Sequence, residues 1–312
     1  MVRVVCVLEY ELRITGRIDS VGWTANRIRG ALGKSLRKVA CATQASRCDG
    51  CPVRDVCAYG LCFEPVATQD GRFQAAGQEI PRPYVIRAGD PEPQGMVRFQ
   101  LVLLGRAAAL VPVFVLAVHE WQEPGMGLGR VEQYLDNVEC IHPLTNERAQ
   151  VFARDQGVLR NAWEPVGQDD IIRSVRDFPD GSLRVSFVTP TRLRRKGRDL
   201  QCPEFAALIS SLLRRTEGLR EYHGLEFEVP DPQGLVRSSD NVRLADWQGG
   251  RASRRRYSYR QKQAMEFEGL VGDALYEGDL AVFLPLLRLA EIIHVGKGAV
   301  FGLGQLKIGA TA

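Results

Sequence analysis

The chain has 312 residues, with 41 Lys+Arg against 37 Asp+Glu, a formal charge of +4 and a hydrophobic fraction of 45%. These values exclude wholesale disorder and leave about two domains, at roughly 150 residues each, with enough apolar mass to build cores without disulfides. So mild a net charge selects no class of partner, and the placement of the charges has to do that.

The N-terminus, Met1 to Glu9, alternates apolar and charged residues and lacks the continuous apolar core of a secretory signal. Its alternation predicts a strand over Val2–Ile14. A helix is expected from about Thr24 to Val39, because Ile28, Leu32, Leu36 and Val39 repeat at spacings of four, four and three, with Thr24 and Asn26 as candidate caps. Met96–Leu104 has a strand pattern, and an apolar segment follows from Ala107 to Trp121. The run Ala107–Val118 contains Pro112 and is too short to span a bilayer, which takes about 20 residues. The expectation is a cytoplasmic protein with no membrane partner, in which eight cysteines are a poor disulfide framework. Pro124 to Gly129 then gives way to a further strand-like stretch, Arg130 to Leu135.

The second half repeats this plan. Leu183–Val188 predicts a strand, and Pro203–Tyr222 a helix with Phe205, Leu208, Leu212, Leu213 and Leu219 on one face. Glu266–Gly278 is strand-like with a glycine turn, and a helix over about Asp279–Ile293 runs into the glycine-rich loop His294–Gly304 and a last strand, Gln305–Ile308. Gly127-Leu128-Gly129 and Gly302-Leu303-Gly304 hold the same relative position in the two halves, which argues for duplication. Strand, helix, strands, helix, strand is the order of a ferredoxin-like unit. The fold expected is therefore α+β: two tandem ferredoxin-like (RRM-like) domains, residues 1–165 and 166–312, with a Cys-rich insertion over about 41–64 in the first.

Within that insertion Cys41, Cys48, Cys51 and Cys57 have the spacing C-x6-C-x2-C-x5-C, with Asp49-Gly50 inside the Cys-x2-Cys turn. Four thiolates so spaced suit structural zinc; an iron–sulfur cluster and reduced thiols with no metal are the other readings left open. A four-thiolate site is closed, so a metal there is structural. Cys6, Cys140 and Cys202 read as small buried hydrophobes.

Basic residues cluster in three places. Arg192, Arg194 and Arg195 lie in the run Arg192–Arg198; Arg254, Arg255, Arg256 and Arg260 are interleaved with Tyr257 and Tyr259 in an acid-free stretch; and Arg27, Arg29 and Lys34 lie along the first predicted helix. Arginine forks suit phosphates, and aromatic rings suit stacking on unpaired bases. Gly296-Lys297-Gly298 is no P-loop, since it follows a helix and precedes a strand. Its glycines, with Gly302 and Gly304, suit close approach to a helix or to an RNA backbone.

These residues resemble a family. His294–Gly304 is similar to the C-terminal glycine-rich signature of the CRISPR precursor-RNA-processing endoribonucleases of the repeat-associated mysterious protein (RAMP) superfamily. Tyr257-Ser-Tyr-Arg-Gln261 with Gly269 and Gly272, the strand end Thr189–Leu193, and Arg29–Gly33 followed by the four cysteines, Ala58-Tyr59 and Phe63-Glu64 resemble its cysteine-bearing branch. The resemblance implies binding of CRISPR repeat RNA or precursor crRNA, with a CRISPR effector complex as a further partner. It also implies one metal-independent cut, in which the ribose 2′-OH attacks the adjacent phosphate to leave a 2′,3′-cyclic phosphate and a 5′-OH. Such a step takes a base, an acid and cations. The region Gly22–Arg27 holds no histidine where family members often carry one. His294, beside Lys297, is the first candidate base, with a capping role as the alternative, and Tyr257 and Lys297 complete the candidate catalytic set. Two rival readings are a non-catalytic RNA-binding subunit of a CRISPR effector complex and a zinc-dependent enzyme or regulator.

Overall fold

The structure is a computed structural model that describes residues 5–15, 23–66, 79–89, 95–123, 128, 131–162, 164–178, 181–258 and 263–310. Two compact units divide the chain: residues 3–166 with 218–226, and residues 167–217 with 227–312. Among the described residues no helix is long and apolar enough to cross a membrane.

In the first unit, β1 (Val5–Thr15) buries nearly every apolar residue of its alternating sequence. Helix α1 (Thr24–Ala40) places Ile28, Leu32 and Leu36 in the core. Its N-cap is Trp23, without a side-chain cap, so Thr24 opens the helix instead of capping it. The short α2 (Ala58–Phe63) follows the cysteines, then come β2 (Tyr84–Ala88) and β3 (Gly95–Leu104). A 3-10 turn leads into α3 (Val111–His119), and β4 (Glu132–Ile141), β5 (Arg148–Ala153) and β6 (Val158–Leu159) complete the unit. The sheet order is β2-β3-β1-β4-β5-β6, with every pairing antiparallel. Its first four strands make a ferredoxin-like sheet, to which β5 and β6 add an edge. Tyr10 stacks on Phe99 at 4.9 Å, and Trp121 donates its indole N–H to the buried Ser35 hydroxyl at 3.0 Å.

The second unit starts with α4 (Gln168–Arg173) and β7 (Ser182–Thr191). A two-stranded ribbon follows, β8 (Arg194–Arg195) with β9 (Arg198–Asp199). Then come α5 (Phe205–His223), whose last residues group with the first unit, and α6 (Pro232–Ser239). The long strands β10 (Arg243–Ser258) and β11 (Gln263–Glu277) pair throughout, and α7 (Leu284–Ile293) and β12 (Leu306–Gly309) close the unit. The order β10-β11-β7-β12 repeats the ferredoxin-like arrangement. Each unit contains a strand that sequence pattern alone does not reveal: β2 in the first and β10 in the second. Gly127-Leu128-Gly129 falls largely outside the described residues, so the glycine repeat is described in the second unit alone.

Phe205 joins the layers of the second unit, with its ring 4.9 Å from Tyr276 and 5.0 Å from Phe283, both edge-on. Tyr276 donates its hydroxyl to Pro203 O at 2.6 Å, and burial pushes that phenol well above its ordinary pKa. Phe205→Ala is expected to lower stability by about 3–5 kcal/mol in urea unfolding. Leu116→Ala, at a position 49% exposed on α3, should fall within about 0.5 kcal/mol of wild type.

Candidate nucleic-acid interface

The glycine-rich loop of the second unit is seated on the end of β7. Helix α7 stops at His294, whose φ of +62° is a conformation rarely adopted by a residue with a side chain. The chain then turns back on itself: Val295 N–H donates to Gly304 O at 2.8 Å, and Gly304 N–H to Pro190 O at 3.2 Å. Thr189 clamps the far side, its hydroxyl donating to Gly302 O at 2.9 Å and accepting from Gln305 N–H at 2.9 Å. At Gly304, φ +73°, any Cβ would overlap the Val295 carbonyl. A Cβ on Gly269 of β11 would lie 2.4 Å from Thr191 N, so the same strand end is approached from both sides. Gly302 and Gly304 therefore serve to seat the loop.

His294 is 0% exposed, and its Nδ1 lies 3.0 Å from Leu303 O. The ring is therefore turned toward the loop's own backbone, the arrangement expected of the capping alternative. Behind it, buried Arg215 donates Nε–H to Ile293 O at 2.9 Å, fixing the end of α7, and burial lowers its pKa to about 10. Lys297 is exposed at the loop's tip, between Gly296 and Gly298, which have φ +72° and +90°. The N–H groups of Gly296, Lys297 and Gly298 make no hydrogen bond among the described residues. A run of amides in such a turn, next to an ammonium, is suited to an anion.

The β8–β9 ribbon starts beside this loop, where a Cβ on Gly296 would lie 2.9 Å from Arg192 O. Its arginines are exposed and already paired with acids. Arg192 grips Asp199 through two bonds of 2.9 and 2.8 Å, which holds that carboxyl below its ordinary pKa. Arg194 lies 3.2 Å from Asp199, and Arg195 reaches Glu204 at 2.5 Å and Asp240 at 3.2 Å. Exposed pairs of this kind contribute little to stability, about 0–1 kcal/mol, so a phosphate can replace the acid. Lys196 and Arg198 are exposed on the same ribbon.

On β10, Arg255 lies 3.5 Å from Glu266, whereas Arg254 is exposed and has no partner among the described residues. Arg256 and Tyr257 extend the strand opposite Met265 and Ala264; their side chains, and all of Tyr259 and Arg260, lie outside the described residues. In the first unit, Arg27 donates to Leu128 O and Arg29 lies 5.4 Å from the Phe63 ring, so both serve contacts within the unit, while Lys34 is exposed.

The other histidines offer no ready base. His223 is buried, with Nε2 2.8 Å from Pro81 O, and His142 Nδ1 accepts from Thr145 N–H at 3.2 Å in a turn. His119 is exposed on α3 with its ring edge-on to Phe152. Sequence reasoning missed two contributors to the site. Thr189 stood in a strand end without a role, and Arg215 was not singled out at all.

Family models match both halves of the chain. One, described as an N-terminal domain, matches residues 4–164, and one described as CRISPR-associated endoribonuclease Cas6 matches residues 185–306. Among solved structures, a Cas6 product complex is similar at TM-score 0.60 and 14% identity, covering 98% of this chain and 100% of that one. Thermus thermophilus Cas6 is similar at TM-score 0.55 and 14% identity, with 99% and 100% covered. A Cas6 substrate mimic complex is similar at TM-score 0.54 and 17% identity, with 98% and 100% covered. At such identities the likeness is one of fold. No curated protein matches the chain.

If His294 positions the loop, His294→Ala should speed hydrogen exchange across residues 295–304 by roughly tenfold, the effect of losing one buried hydrogen bond. The β7–β11 ladder should keep its protection.

Proposed function

The chain belongs to the CRISPR-associated endoribonuclease Cas6 family of the repeat-associated mysterious protein superfamily, and from that premise we propose that it cuts precursor CRISPR RNA once within each repeat without a metal ion. The ribose 2′-OH attacks the adjacent phosphorus, the bond to the 5′ oxygen breaks, and the products carry a 2′,3′-cyclic phosphate and a 5′-OH. One observation carries the reading: Lys297 and the unbonded N–H groups of Gly296 and Gly298 sit on a loop fixed to β7 beside a basic ribbon.

Charge accumulates on the non-bridging phosphate oxygens as the 2′ oxygen adds. Fixed amides and an ammonium next to them stabilise that charge without having to reorganise. Lys297 is also the group suited to give a proton to the departing 5′ oxygen, and the phenol of Tyr257 is the remaining candidate for the 2′-OH. With His294 buried, most of the acceleration comes from holding the 2′ oxygen in line with the bond that breaks. The exposed arginines of the ribbon and Arg254 bind backbone phosphates, and Tyr259 supplies a stacking ring.

The burial of His294 also favours a second reading, a subunit that binds repeat RNA and leaves it intact. Incubation of repeat RNA with the protein in excess chelator separates the two. The proposal expects full cleavage with cyclic-phosphate ends, and an uncut repeat would leave the binding reading alone. Lys297→Ala should lower the single-turnover rate by about 100-fold or more. Arg254→Ala should weaken RNA binding at low salt with little change in the rate at saturation, and should flatten the salt dependence of binding by about one phosphate contact.

A further inference from the structure

Four cysteine thiols of the first unit meet where no part of the RNA reading uses them. Between α1 and α2 the chain has neither helix nor strand, residues 42 to 47 are exposed, and Val56 is 83% exposed. So little apolar burial does not hold a segment of this kind in one conformation. Cys41, Cys48, Cys51 and Cys57 nevertheless line one small pocket, and all four are free thiols.

The backbone brings them there by local turns. Gly50, φ +73°, allows the tight turn in which Cys51 N–H donates to Cys48 O at 3.2 Å, so two thiols leave the chain close together. Arg54 N–H then donates to Cys51 O at 3.2 Å and Cys57 N–H to Val53 O at 2.9 Å, which carries the fourth thiol back to the end of α1. There Cys57 Sγ lies 3.5 Å from Ala40 O. Thr43 lies between two of them, its hydroxyl 4.0 Å from Cys41 Sγ and 3.5 Å from Cys51 Sγ. As placed, no three His, Cys, Asp or Glu side chains among the described residues stand in metal-binding geometry. Ligation therefore requires the thiols to turn inward past Thr43.

Charge and chemistry favour that closure. Four thiolates around a divalent ion carry a net charge of about −2. The pocket is lined by Arg47 and Arg54, and Arg37 lies alongside, with its guanidinium 5.6 Å from the Tyr59 ring. Soft sulfur ligands select zinc over hard cations, and four of them leave no position for substrate. The neighbouring α2 is packed on α1, where a Cβ on Gly33 would lie 2.8 Å from the Phe63 ring. We propose that Cys41, Cys48, Cys51 and Cys57 bind one zinc ion, which closes this segment and holds α2 against α1.

The test is metal analysis of the whole protein, purified under reducing conditions without chelator. Expected are about one zinc per chain, close to none in the paired variant Cys48→Ser/Cys51→Ser, and wild-type content in Cys6→Ser/Cys140→Ser. Releasing the metal from the wild type with a thiol-blocking mercurial should lower the thermal midpoint by several degrees, a readout that remains if the paired variant fails to fold. Zinc below about 0.1 per chain, with no uptake by the reduced protein, would overturn the proposal. So would disulfides among these four cysteines in the purified chain, or iron with visible absorption near 400 nm.

Discussion

The seat of the glycine-rich loop on residues 189–192 of β7 is the contact on which the rest of the second unit depends. The loop leaves α7 through a strained residue, returns to the backbone of Pro190, and is clamped by the Thr189 hydroxyl. Every member of that set removes freedom from the loop. Gly304 leaves no room for a side chain, Arg215 fixes the helix end, and the buried His294 ring ties the entry of the loop to its exit. A rigid base of this kind lets the exposed tip present Lys297 and its neighbouring amides in one orientation.

Charge in the second unit is arranged in two tiers. The ribbon arginines Arg192, Arg194 and Arg195 are paired with Asp199, Glu204 and Asp240. Lys297 and Arg254 have no such partners among the described residues. The small net charge of the chain thus conceals a local excess of cations in the second unit, and the proposed RNA binding through it would depend strongly on salt. The first unit uses its cations differently. Arg27, Arg29 and Lys38 are engaged with Leu128, Phe63, and Glu120 with Glu123, contacts that tie α1 to its surroundings.

Much of this was legible in the residues, and the gaps have physical causes. Helix α1 declared itself because Ile28, Leu32 and Leu36 face one core; so did β1 and β7, whose alternation matches a half-buried sheet. Strand β10 did not. It is an edge strand with Gly249-Gly250 in its middle and arginines along its end, so it reads as a solvated turn, and only its long pairing with β11 makes it a strand. Strand β2 is five residues long and follows Pro81 and Pro83, which mask it. His294 looked chemically active because its neighbours in sequence are glycines and a lysine. Its contact with the Leu303 carbonyl forms only when the loop folds back. The cysteine spacing was plain in the sequence, whereas the position of Thr43 between two of the thiols was not.

The central claim is that the tip of the loop meets the phosphate that reacts. Backbone NMR of the protein titrated with a repeat RNA carrying a 2′-deoxy sugar at the cut site tests this directly. If the amides of Gly296, Lys297 and Gly298 receive that phosphate, their protons shift downfield as the complex forms. If those three amides are unmoved in an RNA-saturated protein while shifts gather elsewhere, the loop is not where the chemistry happens.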